Sequence, residues 1–224
     1  MGFALRAVLA VAALPACWGL VESLADALLI AAGGAELSTE ALALFGGMGM
    51  FVLAWFFLSH PVRTYVIGHE LTHALWGLLF GARVSDVRVG RKGGSVRVSK
   101  SNLLIVLSPY FFPFYTFVVL LVALLTYAFV RPLPCLPVWM FLVGFTWAFH
   151  VLFTLETLTQ RQPDVKEYGT LFSWVVIFAF NLALVLVWMA CTTSLTFDHL
   201  AEIVPSRIAS SYGWLIRLFS TVTR

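Results

Sequence analysis

The chain has 224 residues, 61% hydrophobic and only 11% charged, with a net charge of +3 and a mean hydropathy of +0.94; it reads as a polytopic membrane protein and not a water-soluble globule. Its cations are too few and too scattered to support nucleic acid as a partner, and no glycine-rich phosphate loop is present. The length allows about six membrane spans and little else, so the chemistry is expected to come from the membrane part itself, with the lipid bilayer as an obligatory partner.

Residues 4–58 supply the N-terminal spans. The first runs from Ala4 to Ala32, longer than a signal peptide after Arg6 requires, and is expected to be retained. Glu22 and Asp26 lie one turn apart on it, so they either face the bundle interior or sit close to the membrane surface near the Gly33-Gly34 turn. A polar connector, Gly33 to Glu40, leads into a second apolar stretch, Ala41 to Leu58.

Residues 61–81, PVRTYVIGHELTHALWGLLFG, form a helix opened by Pro61, with Ser59 or His60 as cap, and closed by Gly81. At ~1.5 Å per residue it is roughly 30 Å long, enough to cross a bilayer core. His69 and His73 fall one turn apart on one face, where two imidazoles can hold one zinc ion. Glu70 lies beside them. This is the HExxH arrangement, in which zinc brings the pKa of a water toward ~7 and the glutamate accepts its proton as that water attacks a carbonyl. Three ionisable groups in a membrane helix, each costing at least ~2.5 kcal/mol at mid-bilayer, need such compensation.

Over residues 84–99 the period changes from helical to alternating, with valines on one face and charged or small residues on the other, around Gly90-Arg91-Lys92-Gly93-Gly94. An amphipathic β-hairpin at the membrane interface is expected, its free edge able to accept an extended peptide. Arg83 to Lys100 carries six of the fourteen Lys and Arg residues against one acid, which places it in the cytoplasm by the positive-inside rule.

Residues 103–189 hold the remaining core spans. Ser108-Pro109 and Pro113 are expected to kink or break the first of them; Val138 to Leu158 carries His150 and Glu156; Thr159 to Asp164 is a polar break; and Gly169 to Met189 has Asn181 at its centre. Residues 198–224 read as an interfacial amphipathic tail. Cys17, Cys135 and Cys191 are far apart and odd in number, with neither metal-site nor disulfide spacing, and read as small core residues.

A catalytic zinc site needs a third protein ligand from outside the HExxH helix. Asp164, His150, Glu156 and Asp198 are the candidates, Asp164 being favoured because the polar break puts a carboxylate on irregular backbone that must line a cavity. His150 is either the alternative ligand or a hydrogen-bond partner of one. Asn181 is a candidate to stabilise the oxyanion, although a lone mid-helix Asn also suits an interhelical hydrogen bond.

HELTH within a membrane helix, followed by a basic hairpin and a later Asp in a polar break, resembles the site-2 protease family of membrane zinc metalloproteases over roughly residues 61–186. The resemblance implies His69, His73 and a later aspartate as zinc ligands, Glu70 as catalytic base, and a hairpin lying against the membrane beside the cleft. The chain departs from the family pattern at the third ligand: in place of an Asn-Pro-rich segment ending Leu-Asp-Gly it has Gln162-Pro163-Asp164-Val165. No appended domain is read from the sequence.

Together these readings predict an all-α polytopic membrane protein of about six transmembrane helices, with a small interfacial β-hairpin after the HExxH helix, forming one membrane-embedded domain. The expected activity is zinc-dependent hydrolysis of a peptide bond in or near a transmembrane segment of a membrane-protein or peptide substrate. The alternative is a non-catalytic membrane protein whose zinc is structural. A metal-gated transporter should show inverted repeats, and none are present.

Overall fold

The computed structural model of the chain describes residues 2–33, 38–90 and 93–222. Gly34, Arg91, Lys92 and Arg224 lie outside the described residues. The elements are α1 (Phe3–Ala32), α2 (Thr39–Phe57), α3 (Val62–Leu79), β1 (Val84–Gly90), β2 (Gly93–Val98), α4 (Leu103–Leu107), α5 (Phe114–Phe129), α6 (Leu136–Thr159), α7 (Pro163–Tyr168), α8 (Thr170–Thr192) and α9 (Phe197–Val222). Among the described residues α1, α2, α6 and α8 are long and apolar enough to cross a membrane. A fifth crossing is added if Leu103–Tyr110 and Phe114–Phe129, bent by 84° at their junction, make one broken span. Of the six or so expected spans the HExxH helix α3 is not in this set, because Arg63, His69, Glu70 and His73 lower its hydropathy.

The chain divides into two compact units, residues 37–162 and residues 1–36 with 163–224. In the first, α2 and α6 pack through an aromatic cluster of Phe51, Phe149 and Phe153 with Trp55, Tyr65 and Tyr115 around it. The rings meet edge to face, as between Phe51 and Phe149 (5.4 Å, 67°), or stacked, as between Tyr65 and Phe153 (4.9 Å, 8°), both arrangements that ring quadrupoles favour.

At the start of α3, Pro61 itself is the N-cap and no side chain caps the helix. Neither of the two expected caps, Ser59 and His60, serves, and His60 is committed elsewhere: its ring stacks on Trp55 at 3.8 Å and its Nε2 donates to the Trp55 carbonyl at 3.0 Å. The end of α3 is as expected. Gly81 takes a left-handed φ of +69°, the Gly81 N–H donates to the Leu78 carbonyl (2.9 Å) and the Ala82 N–H to the Gly77 carbonyl (2.8 Å), which is a Schellman motif.

The hairpin forms antiparallel with Val84 opposite Val98, Ser85 opposite Arg97 and Arg88 opposite Ser95. Between Ser85 and Arg88 two residues of β1 oppose one of β2, a bulge in which Asp86 adopts φ +51° and reaches Arg97 at 2.9 Å. Without that extra residue the alternation would slip by one and turn the wrong face to α3. After the hairpin, Asn102 caps α4 by accepting from the Ile105 N–H (2.9 Å), and the chain breaks at Ser108–Tyr110 and Pro113 where the prolines predicted it.

In the second unit α1 and α8 run parallel. Ala10 and Cys17 contact Val175 near one end, and Ala27 meets Leu186 and Met189 near the other. Helix α9 returns antiparallel along α1. Arg207 makes a bidentate pair with Asp26 (2.6 and 2.7 Å), Ser211 reaches Glu22 at 3.4 Å, and Tyr212 donates to the Ala12 carbonyl at 2.7 Å. The hydrogen bonds and charge of Asp26 hold the Arg207 guanidinium above its usual range. Glu22 and Asp26 are half-buried, with α9 as their partner. Among the cysteines only Cys17 is buried; Cys135 and Cys191 are exposed, so neither is the core residue its apolar segment suggested.

Candidate metal centre

The centre is organised on α3. One helical turn separates His69 from His73, and their ring centroids are 4.9 Å apart at 79°. The Nδ1 of His73 lies 2.8 Å from the Ile105 carbonyl. A carbonyl oxygen only accepts, so Nδ1 carries the proton and Nε2 keeps its lone pair for a metal. Ile105 is held in turn by the Asn102 cap, and Ser108 Oγ donates to the same carbonyl at 3.1 Å. The break at Ser108-Pro109 thus fixes the acceptor that orients one imidazole. His69 has its Nδ1 3.4 Å from the Tyr65 hydroxyl, one turn earlier, and its ring meets Tyr110 edge to face at 5.3 Å.

Glu70 is 7% exposed. Strand β2 covers it: a methyl group on Gly94 would fall 2.5 Å from its Cγ, 2.8 Å from Oε1 and 2.8 Å from Val66 Cγ1. Only a residue without a side chain lets the hairpin backbone come this close to the carboxylate.

His150 is on α6, buried at 6% exposed, and its Nε2 has no hydrogen-bond partner among the described residues. It borders, with Tyr65, His69 and Thr72, a cavity of about 20 Å³ of room for the centre of a water-sized sphere. Glu156 faces His60 across 3.9 Å, both side chains more than a third exposed, which is a surface pair.

In the other unit Asp164 is not on irregular backbone. It stands in the first turn of α7, behind Pro163, because a proline at the helix start and a carboxylate next to it are both favoured there. The irregular stretch is confined to residues 160–162. Asn181 donates its side-chain N–H to the Ile177 carbonyl of its own helix at 2.8 Å. Asp198 lies in the first turn of α9 and is exposed. His69 and His73 present two imidazoles from one face of α3, and that pair could take part in holding a metal ion. That donor chemistry suits a borderline-soft divalent cation.

Tyr65, Gly94 and the Ile105 carbonyl take part in this centre without having been singled out in the sequence. Tyr65 was findable, being one turn before His69; a backbone carbonyl has no residue signature. Comparison of the chain with protein-family models, with characterised proteins and with solved structures finds no match.

Proposed function

We propose that the chain is a multi-pass integral membrane protein acting as a zinc-dependent endopeptidase, hydrolysing a peptide bond in or near a transmembrane segment of another protein. The observation that carries this reading is His73, whose Nδ1 is tied to the Ile105 carbonyl one turn from a second imidazole, with a buried carboxylate between them in sequence. A structural site has no use for a carboxylate beside the ligands, and a hydrolytic one does.

His69 and His73 would hold the zinc, with Asp164 as the third ligand expected from the sequence. When bound, zinc would polarise the scissile carbonyl and acidify a water. Glu70 takes the proton from that water, and its burial under β2 keeps bulk solvent from competing for the carboxylate. With its histidines committed to metal, α3 also enters the bilayer, and together with α1, α2, the broken α4–α5 span, α6 and α8 it gives six crossings.

The second reading, a non-catalytic membrane protein with a structural zinc site, is favoured by one observation, the closeness of Gly94 to Glu70. Metal content and cleavage of a membrane-segment substrate, before and after chelation, separate the two. Catalysis lost on chelation and restored by zinc supports the protease; stability lost with no cleavage at any stage supports the structural site.

A further inference from the structure

The wall of α6 that faces α3 carries a buried imidazole with no partner. His150 is 94% buried by its 6% exposure, its Nε2 is unsatisfied among the described residues, and the cavity it borders is shared with His69 and Tyr65. A buried ring nitrogen left without a partner is unfavourable, so it calls for a ligand. The cavity, about 20 Å³, is large enough for one water, which needs roughly 10–15 Å³, and far too small for substrate. Its walls also supply hydroxyl and imidazole groups, as a bound water requires.

The chemistry of His69 selects what that water does. If Nε2 of His69 is to ligate a metal, Nδ1 carries the proton and donates to the Tyr65 oxygen, 3.4 Å away. Tyr65 and His150 line the same cavity as His69. Tyr65 cannot swing away, because its ring is stacked on Phe153 at 4.9 Å and 8°.

Resting on the metal-site reading, we propose that His150 is a positioning residue: its Nε2 anchors one buried water in the cavity shared with Tyr65 and His69, and His150, this water and Tyr65 together set the tautomer and direction of His69. The two imidazoles are thereby oriented by different devices, His73 by a main-chain carbonyl and His69 by a side-chain relay reaching across to α6. No bond is made or broken in the relay, and no proton leaves it.

The test measures Zn²⁺ affinity of the full-length chain purified in detergent, by competition with a chromophoric chelator, for wild type, Tyr65→Phe, His150→Phe, His150→Gln and the Tyr65→Phe/His150→Phe double variant. His69→Ala is the reference for a lost ligand. Tyr65→Phe keeps the stack on Phe153, so it reports even if His150→Phe does not fold. Each Phe variant is expected to bind zinc about 10–100-fold more weakly, His150→Gln to recover most of that loss, and the double variant to bind no more weakly than the worse single. Wild-type affinity in Tyr65→Phe and His150→Phe, with His69→Ala defective, overturns the relay and leaves the metal site standing; losses that multiply in the double variant also overturn it. Wild type that binds no zinc overturns the metal site and the relay together.

Discussion

Gly94 presses its backbone onto the side chain of Glu70, so closely that a single methyl group at position 94 would fall 2.5 Å from the Glu70 Cγ. The hairpin and the proposed base are therefore one device: β2 shapes the position of the carboxylate, and the carboxylate requires a bare backbone above it.

Replacing Gly94 by valine is expected to displace either Glu70 or the hairpin. A misplacement of about 1 Å in a reacting group costs on the order of 10²-fold in rate. Peptide hydrolysis by Gly94→Val should fall by about that factor while zinc content stays at the wild-type level, because the side chains nearest the added methyl groups are Glu70 and Val66. Loss of zinc along with activity would show that the hairpin supports the imidazoles and not the base.

The third ligand is tested by Asp164→Ala, expected to lose zinc affinity and activity together. His150→Ala should weaken activity with zinc still measurable, since a residue acting through a ligand costs less than the ligand itself. Equilibrium metal titration of the two variants decides, and full occupancy in Asp164→Ala with none in His150→Ala would reverse the roles.

Much of the centre was legible because it is local. Two imidazoles four residues apart share a helix face whatever the rest of the chain does, and the alternation of Val84 to Val98 gave the hairpin and its faces. The bulge at Asp86 was not legible: it depends on counting residues across two strands and not along one. Nor was the helical setting of Asp164, where Pro163 marked a break to the eye but starts a new helix in space. The partner of His73 is a carbonyl 32 residues away, delivered by a proline-directed turn, and main-chain acceptors leave no trace in composition. The carboxylates on α1 were legible as groups needing shelter, but Arg207 is 181 residues from Asp26, beyond the reach of any periodicity. Helix α3 departs from the expected spans because Arg63, His69, Glu70 and His73, three of them the proposed ligands and base, make it more polar than α1, α2, α6 and α8.

Orientation follows from the hairpin. Arg83, Arg88, Arg91, Lys92, Arg97 and Lys100 outnumber a single acid, Asp86, in this stretch of the sequence, so by the positive-inside rule it is expected on the cytoplasmic side. Ser95 lies opposite Arg88 and is exposed, and unlike Gly93 it has an ordinary backbone that accepts a side chain. With the three native cysteines replaced, Ser95→Cys should resist a membrane-impermeant thiol reagent in intact cells and react once the membrane is opened. Labelling in intact cells, with a cytoplasmic control protected, contradicts the orientation.

The central claim is that Glu70 is a base acting beside a metal held by His69 and His73. It is tested most directly by comparing wild type with Glu70→Gln for zinc content and for cleavage of a membrane-segment substrate in the same preparation. The amide fits the same space under Gly94 but cannot take up the proton of the attacking water, so hydrolysis should drop by about 10²–10⁴-fold with zinc content unchanged. Hydrolysis by Glu70→Gln at the wild-type rate, with zinc present in both, would contradict the account.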